Sequence, residues 1–249
     1  MLPHPYSLGL SIPNFGETAA SPAGSLQLLL AKSEVHLWLQ VLPPLAELLS
    51  QLDLLSHEER QRAERLQRME DRRRFLGGRL LLRTLLGRYS GLPPRAIPLG
   101  YTAAGKPYWP DPPLPLQFNL SHSRERVLVG LMWQARIGVD LEWIRPVPRW
   151  PRIARRYFSA AEQARLLACP PAERERVFLE LWTQKEALLK AMGVGLAGAR
   201  AAAGDPCWLT LPLRVAEGYV AAVAMERLEV GGPVPTVQLC QGADLFTPA

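Results

Sequence analysis

Asp140 and Glu142 stand two residues apart in the segment GVDLEW. On a β-strand that spacing points both carboxylates to one face and leaves Val139 and Leu141 for the core. Carboxylates so close repel unless a cation or protons are shared between them. Oxygen-only ligands favour Mg²⁺, and the same ligands serve Mn²⁺. Taken alone, such a pair is more often simply the polar face of a strand at the protein surface. The segment LWTQKEALLKAMGVGL (181–196) adds to it. On a helix, Trp182, Glu186 and Lys190 fall at i, i+4 and i+8 and share a face, so a third carboxylate and a cation project together. An exposed Glu–Lys pair of this kind contributes little to stability by itself. The choice of lysine is more informative, because the chain has 25 arginines but only Lys32, Lys106, Lys185 and Lys190. A compact ammonium is a point charge suited to phosphate. Lys185, one step round the helix, is expected to hold Glu186 or a neighbouring loop.

Two further stretches carry polar groups at places where a ligand could meet them. AAGKPYW holds Lys106, and residues 100–106 match the start of a phosphate-binding loop, G-x-x-x-x-G-K. Pro107 stands where Ser or Thr should hold magnesium and cannot open a helix with free N–H groups there, which excludes that motif. A Gly-Lys-Pro turn can still present one ammonium. FNLSHS contains Asn119, Ser121, His122 and Ser123. Hydroxyls and an imidazole at a strand end suit phosphate or ribose contacts, and the G-x-S-x-G of a hydrolase elbow is absent.

These groups need elements to hold them. EVHLWLQVL (34–42) is partly alternating and reads as a strand, as do PLQFNLSH, RVLVGLMW, RIGVDLEWI, CWLTLPL and YVAAVAME. Ser56 with Glu59, and Ser159 with Glu162, are S-x-x-E capping boxes that open helices. Each is followed by a long apolar-periodic helix ending in glycine, the earlier one at Gly87. The boxes lie about 103 residues apart. The repeated grammar predicts an internal duplication: an α+β chain of two pseudo-symmetric lobes, each a small antiparallel sheet packed with helices, with a cleft between them. The lobes are expected at 1–135 and 136–249. Residues 1–25 read as irregular, and the Pro- and Gly-rich tail from about Gly231 carries no periodic signal.

The 249 residues bear a net charge of +6, and much of the excess lies in 60–88, where ten arginines suit a polyanion or an acidic protein. Few aromatics interleave with them, so stacking on single-stranded bases is poorly supported. Three scattered cysteines make neither a disulfide framework nor a CxxC zinc site. With no signal peptide and no run of about 18 uncharged apolar residues, a cytoplasmic location away from membranes is expected.

Taken in order, Gly105-Lys106-Pro107, FNLSHS, GVDLE and Trp182-x-x-Lys185-Glu186-x-x-x-Lys190 with its closing Gly-Val-Gly resemble the surfactin-type 4'-phosphopantetheinyl transferases over roughly residues 35–225. The resemblance implies two α+β lobes with coenzyme A between them. It also implies transfer of the phosphopantetheine arm to a serine of an acyl, peptidyl or polyketide carrier protein, with release of adenosine 3',5'-bisphosphate. By the same resemblance Asp140, Glu142 and Glu186 would gather Mg²⁺, and Lys190 would meet the developing charge on the pyrophosphate. Glu186 would take the serine proton, directly or through water. Lys106, Pro107, Ser121 and His122 would hold the nucleotide end, with Arg79 and Arg62 on phosphate. Glu59 stands where relatives can carry a lysine. A pseudo-dimeric chain of this kind is expected to act as a monomer. The other readings are a carrier-binding scaffold without turnover, and a basic nucleic-acid binder that needs none of the three carboxylates.

Overall fold

The duplication expected from the capping boxes is present as a repeated topology. The computed structural model describes residues 30–31, 34–102, 105–196, 205–240 and 245–246. In the first copy, strand β1 (Glu34–Val41) leads through short helix α1 (Leu45–Leu49) to α2 (His57–Glu64) and the long α3 (Met69–Ser90). A ribbon of β2 (Gly100–Tyr101) and β3 (Pro107–Tyr108) follows, then the hairpin β4 (Leu116–Ser123) and β5 (Arg126–Trp133). The second copy runs β6 (Ile137–Trp143), α4 (Trp150–Tyr157), α5 (Ala160–Ala168), α6 (Arg174–Met192), β7 (Trp208–Leu213) and β8 (Tyr219–Glu226), and β9 (Thr236–Cys240) comes last. In both copies the opening strand pairs antiparallel with the second strand of the hairpin, giving β4-β5-β1 and β6-β8-β7. Both capping boxes form with both reciprocal bonds, at α2 and at α5.

Strand alternation then builds four layers. Trp38, Val127, Val129 and Leu131 face α3, where they pack on Leu81, Leu82, Leu85 and Leu86. The opposite face of the same sheet, with Val35, Leu37, Leu128 and Met132, packs on Ile137, Val139, Leu141, Val223 and Met225 of the second sheet. Beyond that, Ala222 and Ala224 receive Ala187 and Ala191 of α6. Each buried Leu, Val or Ile side chain contributes about 1.5–3 kcal/mol. The lobes are thus joined sheet to sheet, with one long helix on each outside. Among the described residues no helix is long and apolar enough to cross a membrane.

Two expectations are corrected. The first long helix does not end at Gly87; it runs to Ser90 and is closed by Gly91 in the left-handed region at φ 74. The tail does not stay with the second lobe, to which residues 136–249 are assigned by sequence. β9 pairs in parallel with β1, from Glu34 with Thr236 to Trp38 with Cys240, and Leu245 is buried in the core under α3. An uncovered β1 would present a row of unpaired backbone groups, and β9 pairs them.

Candidate active site

The site grows from a problem of strand edges. β6 is the outer strand of its sheet, so its outward N–H groups need acceptors. β4 supplies them from side chains. Val139 N–H donates to Asn119 Oδ1 at 2.9 Å, Leu141 N–H to Ser121 Oγ at 3.3 Å, and Trp143 N–H to Ser123 Oγ at 3.0 Å. This row of every-second-residue polar groups stitches the two sheets together. The two serines then donate onward: Ser121 Oγ to Asp140 Oδ1 at 2.9 Å and Ser123 Oγ to Glu142 Oε2 at 3.2 Å. Both carboxylates are therefore oriented by the FNLSHS strand.

Helix α6 covers the same face of β6. A Cβ at Gly138 would collide with the carbonyl oxygen of Ala187 and the backbone of Ala191, so the missing side chain lets the helix lie directly on the strand. That approach carries Lys190 over Asp140. Its Nζ donates to Asp140 Oδ1 at 2.7 Å, to Ser121 Oγ at 3.1 Å and to Val139 O at 3.2 Å. Glu186 lies one turn earlier. Burial, then the charges of Asp140 and Glu142, push its pKa up, with Lys190 opposing. Three carboxylates therefore feel one another here, and one of them binds a proton more readily than usual.

The donor chemistry fits a hard divalent cation. Asp140 is 6% exposed, and its Oδ2 is a buried acceptor with no hydrogen-bond partner, an arrangement that costs free energy unless a cation compensates it. Among the described residues, however, no group of three or more His, Cys, Asp or Glu side chains is arranged to hold a metal. Protein cations are on the carboxylates instead: Lys190 on Asp140, and Arg145 Nη1 on Glu142 Oε2 at 2.7 Å.

The remaining expected residues all come from the first lobe. Lys106, in the first lobe, donates from Nζ to the carbonyl of Lys190 at 2.6 Å, across to the end of α6. Burial, with the nearby charges of Arg136 and Lys190, lowers its pKa to about 8. Pro107 is buried in β3, and a strand, not a helix, follows Lys106. His122 is exposed to solvent, yet the atoms crowded round it still lower its pKa, helped by the positive charges of Lys190, Arg74 and Arg79. Arg79 is 6% exposed, and its guanidinium lies over the rings of Phe75 and Tyr101, 5.2 and 5.3 Å from their centroids. Arg62 lies over the same two rings from the exposed side.

Several residues have partners that differ from expectation. Lys185 does not hold Glu186; it is buried on the far side of α6, 3.1 Å from Glu162 of α5. Trp182 stacks on Phe178 and meets the edge of Tyr157. Glu59 is a structural carboxylate, closing its capping box while paired with buried Arg83 at 2.7 Å and accepting from Tyr101. Part of the arginine block of 60–88 is engaged by the protein itself, while Arg62, Arg65 and Arg68 are exposed. Arg83 donates to Pro94 O and Ile97 O, Arg73 to Leu42 O and Pro43 O, and Arg74 to Asp71 and Arg124 O. Sequence reasoning missed Arg145 altogether. It marked Ser123 and Asn119 without finding their stitching role, although the alternation Asn119-x-Ser121-x-Ser123 opposite Phe118 and Leu120 was the signal for it.

The chain is similar to known proteins. Residues 136–215 match a family model described as the 4'-phosphopantetheinyl transferase superfamily, and residues 40–131 match one described as 4'-phosphopantetheinyl transferase, N-terminal. The 4'-phosphopantetheinyl transferase HetI of Nostoc is 39% identical over 173 residues, covering 68% of this chain and 73% of that protein. The 4'-phosphopantetheinyl transferase Sfp of Bacillus subtilis is 35% identical over 146 residues, 59% of this chain and 63% of its own length. The 4'-phosphopantetheinyl transferase AcpT of Escherichia coli is 38% identical over 122 residues, 49% and 58%.

Proposed function

Because this chain belongs to the 4'-phosphopantetheinyl transferase superfamily, we propose that the cleft around Asp140, Glu186 and Lys190 is where the phosphopantetheine arm of coenzyme A passes to a carrier-protein serine. The enzyme is a phosphopantetheinyl transferase, coenzyme A its co-substrate and a carrier protein its acceptor. We assign it to the surfactin-type group, acting as a monomer, because one chain supplies both halves of the cleft.

The observation that carries this reading is Lys190, set by α6 onto Asp140 and Ser121 with Glu186 one turn away. The serine oxygen forms a bond to the β-phosphorus, and the bond from that phosphorus to the bridging oxygen breaks, leaving adenosine 3',5'-bisphosphate. The serine proton goes to Glu186, directly or through water; a raised carboxylate pKa brings the base closer to neutral pH. The Lys190 ammonium meets the charge gathering on the leaving phosphate in a partly buried site, where such a contact is worth more than in water. Arg79 and, across the cleft, Lys106 offer positive charge to the nucleotide phosphates, with His122, whose lowered pKa leaves the imidazole neutral, as a hydrogen-bonding partner. Asp140, Glu142 and Glu186 would hold Mg²⁺, which when bound supplies further neutralisation of the pyrophosphate.

The test is intact-mass spectrometry of an apo carrier protein incubated with the enzyme, coenzyme A and Mg²⁺, alongside an EDTA control and Glu186→Ala. A carrier heavier by one phosphopantetheine arm, seen only with metal and intact Glu186, is expected. An unmodified carrier despite coenzyme A binding would leave a scaffold without turnover.

A further inference from the structure

Two of the three carboxylates of the site, Asp140 and Glu142, are already paired with the protein's own cations. Lys190 Nζ is 2.7 Å from Asp140 Oδ1, and Arg145 Nη1 is 2.7 Å from Glu142 Oε2. The two cations are more exposed to solvent than the cation of the buried pair nearby. Their side chains are 30% and 41% exposed, against 2% for Arg83 in its pair with Glu59. Arg145 follows β6 on the adjoining loop and also donates to Trp143 O at 3.1 Å. Asp140 Oδ2, by contrast, is buried and unpartnered while its other oxygen is held by Lys190 and Ser121. Asp140 Oδ2 is therefore a buried open acceptor, and two partly exposed positive charges stand where a divalent ion would be repelled.

We propose that Lys190 and Arg145 are resident counter-cations of the carboxylates, so that divalent metal and the anionic cofactor bind with positive coupling, each drawing off or replacing the charges that hinder the other. This rests on the reading of Asp140, Glu142 and Glu186 as the metal site. Without cofactor, both cations sit on the carboxylates and metal binds weakly. A pyrophosphate offers Lys190 and Arg145 a competing anion, and the carboxylates are released to the metal. Coupling free energy is reciprocal, so metal must strengthen cofactor binding by the same factor. Arg145 is a positioning residue in this scheme, acting through Glu142.

The experiment is calorimetric titration of Mn²⁺ into the full chain, with and without saturating coenzyme A, for wild type, Arg145→Gln, Lys190→Gln and Asp140→Asn. The expected result is that coenzyme A tightens Mn²⁺ binding to wild type about tenfold or more. Arg145→Gln should bind Mn²⁺ alone about fivefold tighter than wild type, the upper end for one partly exposed ion pair, with the coupling reduced to match. Lys190→Gln should shift the same way. Direct contact between metal and pyrophosphate would also produce coupling, but it would not tighten Mn²⁺ binding to cofactor-free Arg145→Gln. Equal or weaker Mn²⁺ binding by both cation variants in the absence of coenzyme A overturns the proposal while leaving the metal site intact. An Asp140→Asn variant that binds Mn²⁺ like wild type, with and without cofactor, overturns the metal-site reading and this proposal with it.

Discussion

Lys106 shows how a single residue records the cost of building a cleft. Its pKa is lowered to about 8 from the usual 10.5, first by burial and then by Arg136 and Lys190. The folded protein thus releases this proton near pH 8, whereas the unfolded chain holds it to about pH 10.5. Between those values the unfolded state binds more protons, so this group makes stability rise with pH across that window, and below it the penalty is fully present. The bond to the Lys190 carbonyl at the negative end of α6 favours the ammonium and keeps the effect below its full size. Urea unfolding at pH 7 and pH 10 should therefore show wild type gaining on Lys106→Met at the higher pH; parallel pH slopes would refute the burial argument. Ser121 makes a second case. Ser121→Ala leaves the buried Leu141 N–H without its acceptor and removes one of the two donors to Asp140 Oδ1, Lys190 being the other, costing about 1–3 kcal/mol of stability. Loosening Asp140 and Lys190 together should lower kcat about tenfold to a hundredfold, with the KM for coenzyme A changing less. Steady-state kinetics showing the reverse pattern would make Ser121 a cofactor contact. The orientation of Asp140 and Glu142 was legible from period-two spacing alone. Arg145 on Glu142 was not, because that pair depends on how the loop after β6 turns, and no periodicity reports a loop.

At the scale of elements, the closest approach in the site is α6 on β6, and Gly138 makes it possible. Gly138→Ala should cost about 3 kcal/mol, the upper end for overpacking, because the obstructing atoms are the backbone of Ala187 and Ala191 rather than a side chain that can turn away. It should also separate Glu186 and Lys190 from Asp140, so that activity falls even where the variant folds; a melt and a turnover assay below the melting temperature check both parts. Unchanged stability would mean that α6 can slide, and the site geometry would then not depend on this contact. The glycines also explain what could be read from sequence. Helix starts were legible, since Ser56 with Glu59 and Ser159 with Glu162 satisfy backbone groups locally and need no tertiary information. The end of α3 was misread at Gly87, which is glycine because Leu92 O and Pro94 crowd it, while the left-handed residue that closes the helix is Gly91. Two glycines four apart serve different constraints, and only the backbone conformation separates them.

For the whole molecule, the decisive feature is that the second lobe returns a strand to the first. β9 follows β8 in sequence yet covers the edge of β1, with Gln238 Nε2 donating to Glu34 Oε1 at 3.0 Å and Leu239 packed between the sheets. This was illegible because 231–249 carries Pro and Gly without a sustained alternation, and its pairing partner lies roughly 200 residues away. The crossover predicts an asymmetric response to truncation. A chain ending at Val230 loses β9 and the buried Leu245, a cost of about 3–5 kcal/mol from two or three apolar side chains, and it leaves β1 as an open edge prone to pair with other chains. Although the missing residues belong to the second half of the sequence, the damage should appear in the first lobe. Amide exchange should accelerate in β1 and, through the core it shares with α3, in α3, while β7 and β8 keep their protection. Faster exchange confined to β7 and β8 would refute this, because it would mean that the tail stabilises the lobe it leaves. If β1 loosens as expected, β5 and then β4 lose their support in turn, and β4 carries the serines that orient Asp140 and Glu142. The truncated enzyme should therefore lose turnover well below its unfolding temperature, even though none of the residues proposed for the chemistry has been removed.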